Sequence, residues 1–208
     1  MLFNPFAIRP ETEADWREVE TLTREAFWNK YSPGCSEHYV LHRFRIRPDF
    51  VKELNYVIEA HGRIVAHIMY SHSEIVCEDG RVLPTMTFGP VSVLPEFQGN
   101  GYGSELIRFT MEKAAALGCG ALVITGSPEY YARFGFVSGY LNHIYYAAVP
   151  RNDAAPFFLV KELIPGFLSG VSGTFQDPAG YQVDDAEVDV FDAGFPPKEK
   201  LKLPGQLA

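Results

Sequence analysis

A chain of 208 residues, 47% of them hydrophobic, holds enough apolar material for one sizeable core and a small appendage. Its formal charge of −8 argues against nucleic acid as a partner, since such binders present a basic face. Three widely spaced cysteines, Cys35, Cys77 and Cys119, fit reduced thiols of a cytoplasmic protein better than a disulfide framework or a zinc site. The N-terminus, Met1 to Phe6, lacks the basic start and apolar run of a signal peptide. No stretch approaches the ~18 uninterrupted apolar residues of a membrane span, so no membrane association is expected.

Phe6–Pro10 reads as a short edge strand closed by proline. Thr12 is a good N-cap, and Trp16, Val19, Leu22, Ala26 and Phe27 recur at helical spacing, so an amphipathic helix is expected over residues 12–28. Tyr31-Ser32-Pro33-Gly34 interrupts it, and Ser36 opens a second helix ending near Arg47. His38 and His42 share a face of that helix. With Cys35 or Glu37 they suggest a metal group, but no partner cluster exists elsewhere in the sequence. The expectation is therefore packing or surface histidines and no metal. Arg43, Arg45 and Arg47 complement the dipole at the helix end.

Residues 56–60 and 64–76 flank the tight His61-Gly62-Arg63 turn, and Asp79-Gly80 leads into a third strand over 81–94. His72 and Glu74 lie two apart and project from one sheet face. They are either a solvated strand face or a general base acting directly or through water.

The stretch Gly89–Gly103, Gly-Pro-Val-Ser-Val-Leu-Pro-Glu-Phe-Gln-Gly-Asn-Gly-Tyr-Gly, carries the chemistry. A strand stopping at Pro95 turns and enters a helix through three glycines, Gly99, Gly101 and Gly103. Backbone amides and the positive helix end therefore converge on an anion site suited to phosphate or pyrophosphate. A P-loop lysine is missing, and the glycines at 99, 101 and 103 are out of register for the dinucleotide fingerprint. Leu106, Ile107, Thr110, Met111, Ala114 and Leu117 form the helix's inner face, and Gly118 stops it. Ala121–Thr125 then reads as an apolar strand parallel to Val91–Leu94 through a right-handed crossover. Cys119 is expected to be a buried, inert thiol. Weaker strand signals follow at 144–149, 157–160 and 173–175. Asp177, Asp184, Asp185, Glu187, Asp189 and Asp192 then form an acidic segment, either a rim attracting a cationic amine or a solvated surface. Residues from Pro196 on read as a mobile tail.

Gln98-x-x-Gly101-x-Gly103, preceded by Val91–Phe97, resembles the acetyl-CoA site of the GNAT (GCN5-related) N-acetyltransferase family. The opening Ile8-Arg9-Pro10 strand and Tyr131-x-x-x-Gly135-Phe136 strengthen it. The run Gly126-Ser127-Pro128-Glu129-Tyr130-Tyr131-Ala132-Arg133-Phe134-Gly135-Phe136 is similar to the YhbS-like subgroup of predicted acetyltransferases. The resemblance covers about residues 6–175, taken as the acetyltransferase domain, with 176–208 an acidic extension and tail. It implies an α/β (α+β) GNAT fold: a central, mixed, mostly antiparallel twisted sheet, splayed between the fourth and fifth strands and flanked by helices.

By the same resemblance, Val91 and Val93 pair with pantetheine. Gln98, Gly99, Asn100, Gly101, Tyr102, Gly103 and Ser104 hold the pyrophosphate of acetyl-CoA as co-substrate. An N–H near Val93 or Leu94 polarises the thioester carbonyl. Tyr131 becomes the general acid for the departing thiolate, and Tyr130 packs. Residues 29–50 wall the acceptor site, the acceptor being a small-molecule or peptide amine, and a homodimer is left open. One departure stands out: Ser127-Pro128 replaces the asparagine that many relatives use on CoA. Two functions follow, an N-acetyltransferase working by direct attack in a ternary complex and a catalytically silent acyl-CoA sensor.

Overall fold

The computed structural model describes residues 6–206; Met1–Pro5, which carry most of the signal-peptide expectation, and the last two residues lie outside. In chain order the elements are β1 (Phe6–Pro10), α1 (Trp16–Phe27), α2 (Glu37–Phe44), β2 (Tyr56–Ala60), β3 (Arg63–Cys77), β4 (Val82–Val93) and α3 (Tyr102–Ala116). There follow β5 (Ala121–Thr125), α4 (Pro128–Tyr131), β6 (Val137–Ser138), β7 (Ile144–Tyr146), β8 (Phe158–Glu162), β9 (Gly173–Phe175) and α5 (Asp185–Asp192). The strands form a mixed, mostly antiparallel sheet with a parallel β4–β5 pair, flanked by helices, the fold class expected. Contacts divide the chain into two compact units.

The first unit takes residues 6–69, 89–107 and 179–206 of those described. β1 and β2 pair antiparallel from Phe6↔Ala60 to Pro10↔Tyr56, and β2 pairs antiparallel with β3. Val19, Leu22, Val40, Leu41 and Phe44 from α1 and α2 pack on Val57, Ile64, Met69 and Leu94. The helix expected over 12–28 begins with a 3-10 turn, Glu13–Asp15. There Asp15 accepts from Thr12 N and Oγ1 at 2.8 Å and from Arg9 Nη1 at 2.7 Å.

The second unit takes 70–88 and 108–178. β4 and β5 pair parallel at Met86↔Leu122, β5 and β8 pair antiparallel from Ala121↔Glu162 to Thr125↔Phe158, and β6 pairs with β8. β9 pairs with β3 at Ile75↔Phe175 and with β7. Leu106, Ile107, Thr110 and Ala114 of α3 are fully buried, whereas Leu117, expected inside, is 52% exposed. Gly118, at φ +84°, closes α3 with two backbone bonds, Gly118 N to Ala115 O and Cys119 N to Ala114 O.

Polar burial in the first unit departs from expectation. Arg45 is not an exposed dipole partner: its side chain is 2% exposed and bridges Glu11 (2.6 Å) and Glu20 (2.7 Å). Glu20 also meets His42 Nδ1 at 2.9 Å. His38 is fully buried, with Nδ1 3.5 Å from Cys35 Sγ and Nε2 3.0 Å from Asp192 Oδ1. The acidic segment is neither rim nor simply solvated. Asp184 caps α5 through Ala186 N and Glu187 N, Asp192 takes two bonds from buried Arg24 (2.5 and 3.0 Å), and Asp189 pairs with Lys200. Residues read as a mobile tail are tied down as well. Glu199 O accepts from Trp28 Nε1 and Asn29 Nδ2, each at 3.0 Å, and Lys198 meets Glu25 at 2.7 Å.

Two predictions follow from this burial. Replacing Arg45 by Met leaves the buried Glu11 carboxylate without its cation and takes from Glu20 one of its partners, leaving it Arg17 and His42. Urea denaturation should show a loss of about 3–5 kcal/mol, the usual cost of stranding a buried charge. Burial also pushes both His38 and His67 down to about 4. Unfolded histidines titrate near 6.5, so the unfolded chain binds more protons between these values, and stability falls as pH drops from about 6.5 to 4. At pH 5 unfolding should take up about two protons on this account, read from the pH slope of the unfolding free energy, and about one fewer in His67→Gln.

Candidate active site

The end of β4 is fixed at three consecutive residues. Ser92 is buried and its Oγ lies 2.9 Å from Thr23 Oγ1 of α1. Val93 O accepts from Gln98 Nε2 at 3.0 Å. Leu94 N donates to Val65 O of β3 at 3.0 Å. The last bond corrects one expectation: the Leu94 amide is occupied and is not a donor for a thioester carbonyl. Because amides alternate along a strand, the Val93 amide faces away from β3, as does that of Val91. The Gln98 side chain folds back on the strand it follows.

Pro95–Phe97 make a 3-10 turn, with Phe97 N bonded to Leu94 O at 2.8 Å. Asn100 Nδ2 donates to Phe97 O at 3.1 Å and so braces the loop from inside. Gly99 and Gly101 adopt φ of +77° and +90°, and a Cβ at either would meet nothing within 4 Å. Glycine is required there for its backbone conformation, with the surrounding space left open. Gly101 O accepts the first helical bond, from Glu105 N at 3.0 Å, which makes Gly101 the N-cap of α3. The amides of Tyr102, Gly103 and Ser104 then fall in the first turn, where helix geometry supplies no acceptor. Tyr102 is buried by its ring, set edge-on against Phe6 (5.7 Å) and Phe97 (6.1 Å), so the residue offers its main chain and not its phenol.

The second unit carries Tyr131 on α4. Ser127 Oγ caps this turn, accepting from Tyr130 N at 3.3 Å and donating to Glu129 at 2.7 Å. The residue pair that departs from the family pattern thus serves to start α4, with Pro128 at the favoured first position. The Tyr131 ring lies among Phe88 (6.0 Å), Phe136 (5.7 Å), Tyr130 (5.0 Å) and Phe134 (6.2 Å). Beneath it Tyr70 is buried with its hydroxyl 2.9 Å from Thr110 Oγ1, and burial drives its pKa up. His72 and Glu74 are exposed on β3, alternating with buried Ser71, Ile75 and Cys77.

All three cysteines are free and buried. Burial pushes the Cys35 and Cys119 thiols up, away from the thiolate a nucleophile needs. Among the described residues no group of three His, Cys, Asp or Glu side chains forms a metal site, and no helix is long and apolar enough to cross a membrane. Sequence reasoning missed the anchors of these elements: in the first unit Thr23 and Val65, the partners of Ser92 and Leu94, and in the second Gly126, which faces the Tyr131 ring. A glycine set between a strand and a Ser-Pro helix start was the available signal for the last.

The family model described as an acetyltransferase (GNAT) domain matches residues 7–138, well over half the chain. The chain belongs to the GNAT acetyltransferase family. YhbS of Escherichia coli K12, described as an uncharacterized N-acetyltransferase, is 26% identical over 167 residues, covering 80% of this chain and 92% of YhbS. YjhQ of the same organism is 35% identical over 75 residues, which span 36% of this chain and 41% of YjhQ. Among solved structures, E. coli YhbS in complex with CoA superposes with a TM-score of 0.71 at 21% identity, over 85% of this chain and 91% of that one. A GNAT acetyltransferase of Brucella melitensis in complex with acetyl-CoA gives 0.67 at 26% identity, over 86% and 99%.

The loop geometry yields a further prediction. Gly101→Ala should cost about 1 kcal/mol in denaturant unfolding, from the left-handed backbone alone, because the added methyl meets open space. Gly101→Asn should cost less, since asparagine tolerates that conformation.

Proposed function

We propose that this protein transfers the acetyl group of acetyl-CoA to a primary amine by direct attack within a ternary complex. The observation that carries the reading is the end of β4 running through two left-handed glycines into the N-terminus of α3. It offers a strand edge at Val91 and Val93 followed by a cluster of first-turn amides. A strand edge suits the amides of pantetheine, and the amide cluster at Gly99–Ser104 suits its pyrophosphate. The Brucella relative, solved with acetyl-CoA, supports the same assignment.

The Val93 amide is the donor for the thioester carbonyl, since Leu94 is committed to Val65. The amine nitrogen bonds to the carbonyl carbon and releases its proton, and the C–S bond breaks. The sulfur takes the hydroxyl proton of Tyr131, which is restored from solvent. A phenol of pKa ~10 is a competent acid for a thiolate of pKa ~8.5. The two displaced thiols, Cys35 and Cys119, support direct attack over an acyl-enzyme.

Thiol release from acetyl-CoA across a panel of amines tests the reading, with calorimetry for binding. Tyr131→Phe should lower kcat about 10²-fold and leave acetyl-CoA affinity unchanged. Binding without turnover on any amine, with Tyr131→Phe neutral, would assign the protein as an acyl-CoA sensor instead.

A further inference from the structure

Gly126 directly follows β5, and its amide donates at 2.8 Å to the carbonyl of Phe157, the residue just before β8, so its backbone is held in place. A Cβ at this position would lie 2.3 Å from Cε2 and 2.8 Å from Cδ2 of the Tyr131 ring. Contacts that short do not occur, so in a 126-substituted protein either the ring or the backbone beside it must shift. The ring is half-buried and packs on Phe88, Phe136, Tyr130 and Phe134, and the backbone is held by its bond to Phe157, so neither yields freely. Gly126 differs in this from Gly99 and Gly101, whose requirement is a backbone angle with empty space around it.

We propose that Gly126 is a positioning residue for the reaction: its missing side chain is the seat of the Tyr131 ring, and it fixes where the phenol hydroxyl stands. This rests on the assignment of Tyr131 as the acid. Phe88 and Phe136, 5.9 Å apart and edge-to-face with each other, both pack against the same ring. A single methyl at 126 therefore shifts the hydroxyl while leaving the amide loop that binds CoA untouched in sequence. Displacement of a reacting group by about 1 Å costs on the order of 10²-fold in rate.

The experiment is a double-mutant cycle on kcat with the full-length protein, using Gly126→Ala, Tyr131→Phe and the two combined. Gly126→Ala is expected to lower kcat 10- to 10²-fold, with KM for acetyl-CoA within about twofold of the parent. It should also alter the alkaline limb of the pH–rate profile as Tyr131→Phe does. In the Tyr131→Phe background the same methyl should cost nothing further, because the hydroxyl it displaces is gone. An equal loss in both backgrounds, or no loss in the parent, overturns the proposal. If Tyr131→Phe alone is without effect, the acid assignment itself fails, which is a separate result. Should Gly126→Ala not fold, as judged by its thermal midpoint, Phe88→Leu removes one packing partner of the ring and enters the same cycle, where an equal loss in both backgrounds again overturns the proposal.

Discussion

The bond from Leu94 N to Val65 O decides which way the end of β4 faces. Once Leu94 is committed to β3, strand alternation turns the amides of Val93 and Val91 to the other side. Ser92 and Gln98 hold the neighbouring residues, one by its hydroxyl to Thr23 and the other by its amide to Val93 O. The glycine turn and the first turn of α3 then follow from a rigid origin. All the donors assigned to acetyl-CoA are main-chain groups. Side chains in this stretch matter where they hold the backbone in place: Gln98 and Asn100 turn their amides onto main-chain carbonyls of the same loop, and Tyr102 buries its ring.

What the sequence made legible was local. Gly101 before an amphipathic run, Gly118 after it, Asp79-Gly80 in a hairpin and Ser127-Pro128 before α4 each act within a few residues, so composition and spacing reveal them. The GNAT resemblance rested on the same kind of signal. Pairings between distant positions left no such trace. Arg24 and Asp192 are 168 residues apart, and Arg45 and Glu11 are 34 apart. An arginine at a helix end and an aspartate in an acidic run each have a sufficient local explanation, and nothing in either segment signals that the other exists. Helix α5 is an intermediate case: Asp184 is a good cap, and Val188 within the helix and Phe195 just beyond it are buried, but the density of carboxylates hid the pattern.

Those carboxylates illustrate how desolvation sorts an acidic segment. Burial alone would raise the Asp192 carboxyl, yet the hydrogen bonds and charge of Arg24 outweigh it and hold Asp192 below its ordinary value. Such a pair is retained only with near-ideal geometry, and the two parallel bonds from the guanidinium supply it. Glu187 and Asp189 stay at the surface, where Tyr39 and Lys200 meet them. The segment thus clamps the C-terminal residues to α1 and α2, and its net charge is a by-product of that role.

The assignment of an acid without an assigned base has a physical rationale. His72 and Glu74 stand on the exposed face of β3, so a proton passed to either is in effect passed to solvent. An alkylammonium of pKa ~10 is deprotonated more readily as it leaves water, since desolvation disfavours its charged form. The nitrogen's proton therefore has an exit that needs no dedicated side chain. The sulfur's proton does not. Phenol to thiolate is uphill by about 1.5 pKa units, or about 2 kcal/mol, so Tyr131 helps only if transfer accompanies C–S cleavage, which demands a hydroxyl already in place. Chemistry that depends on placement more than on acidity is served by a ring packed among aromatic neighbours and against a glycine, and that is the arrangement at Gly126 and Tyr131.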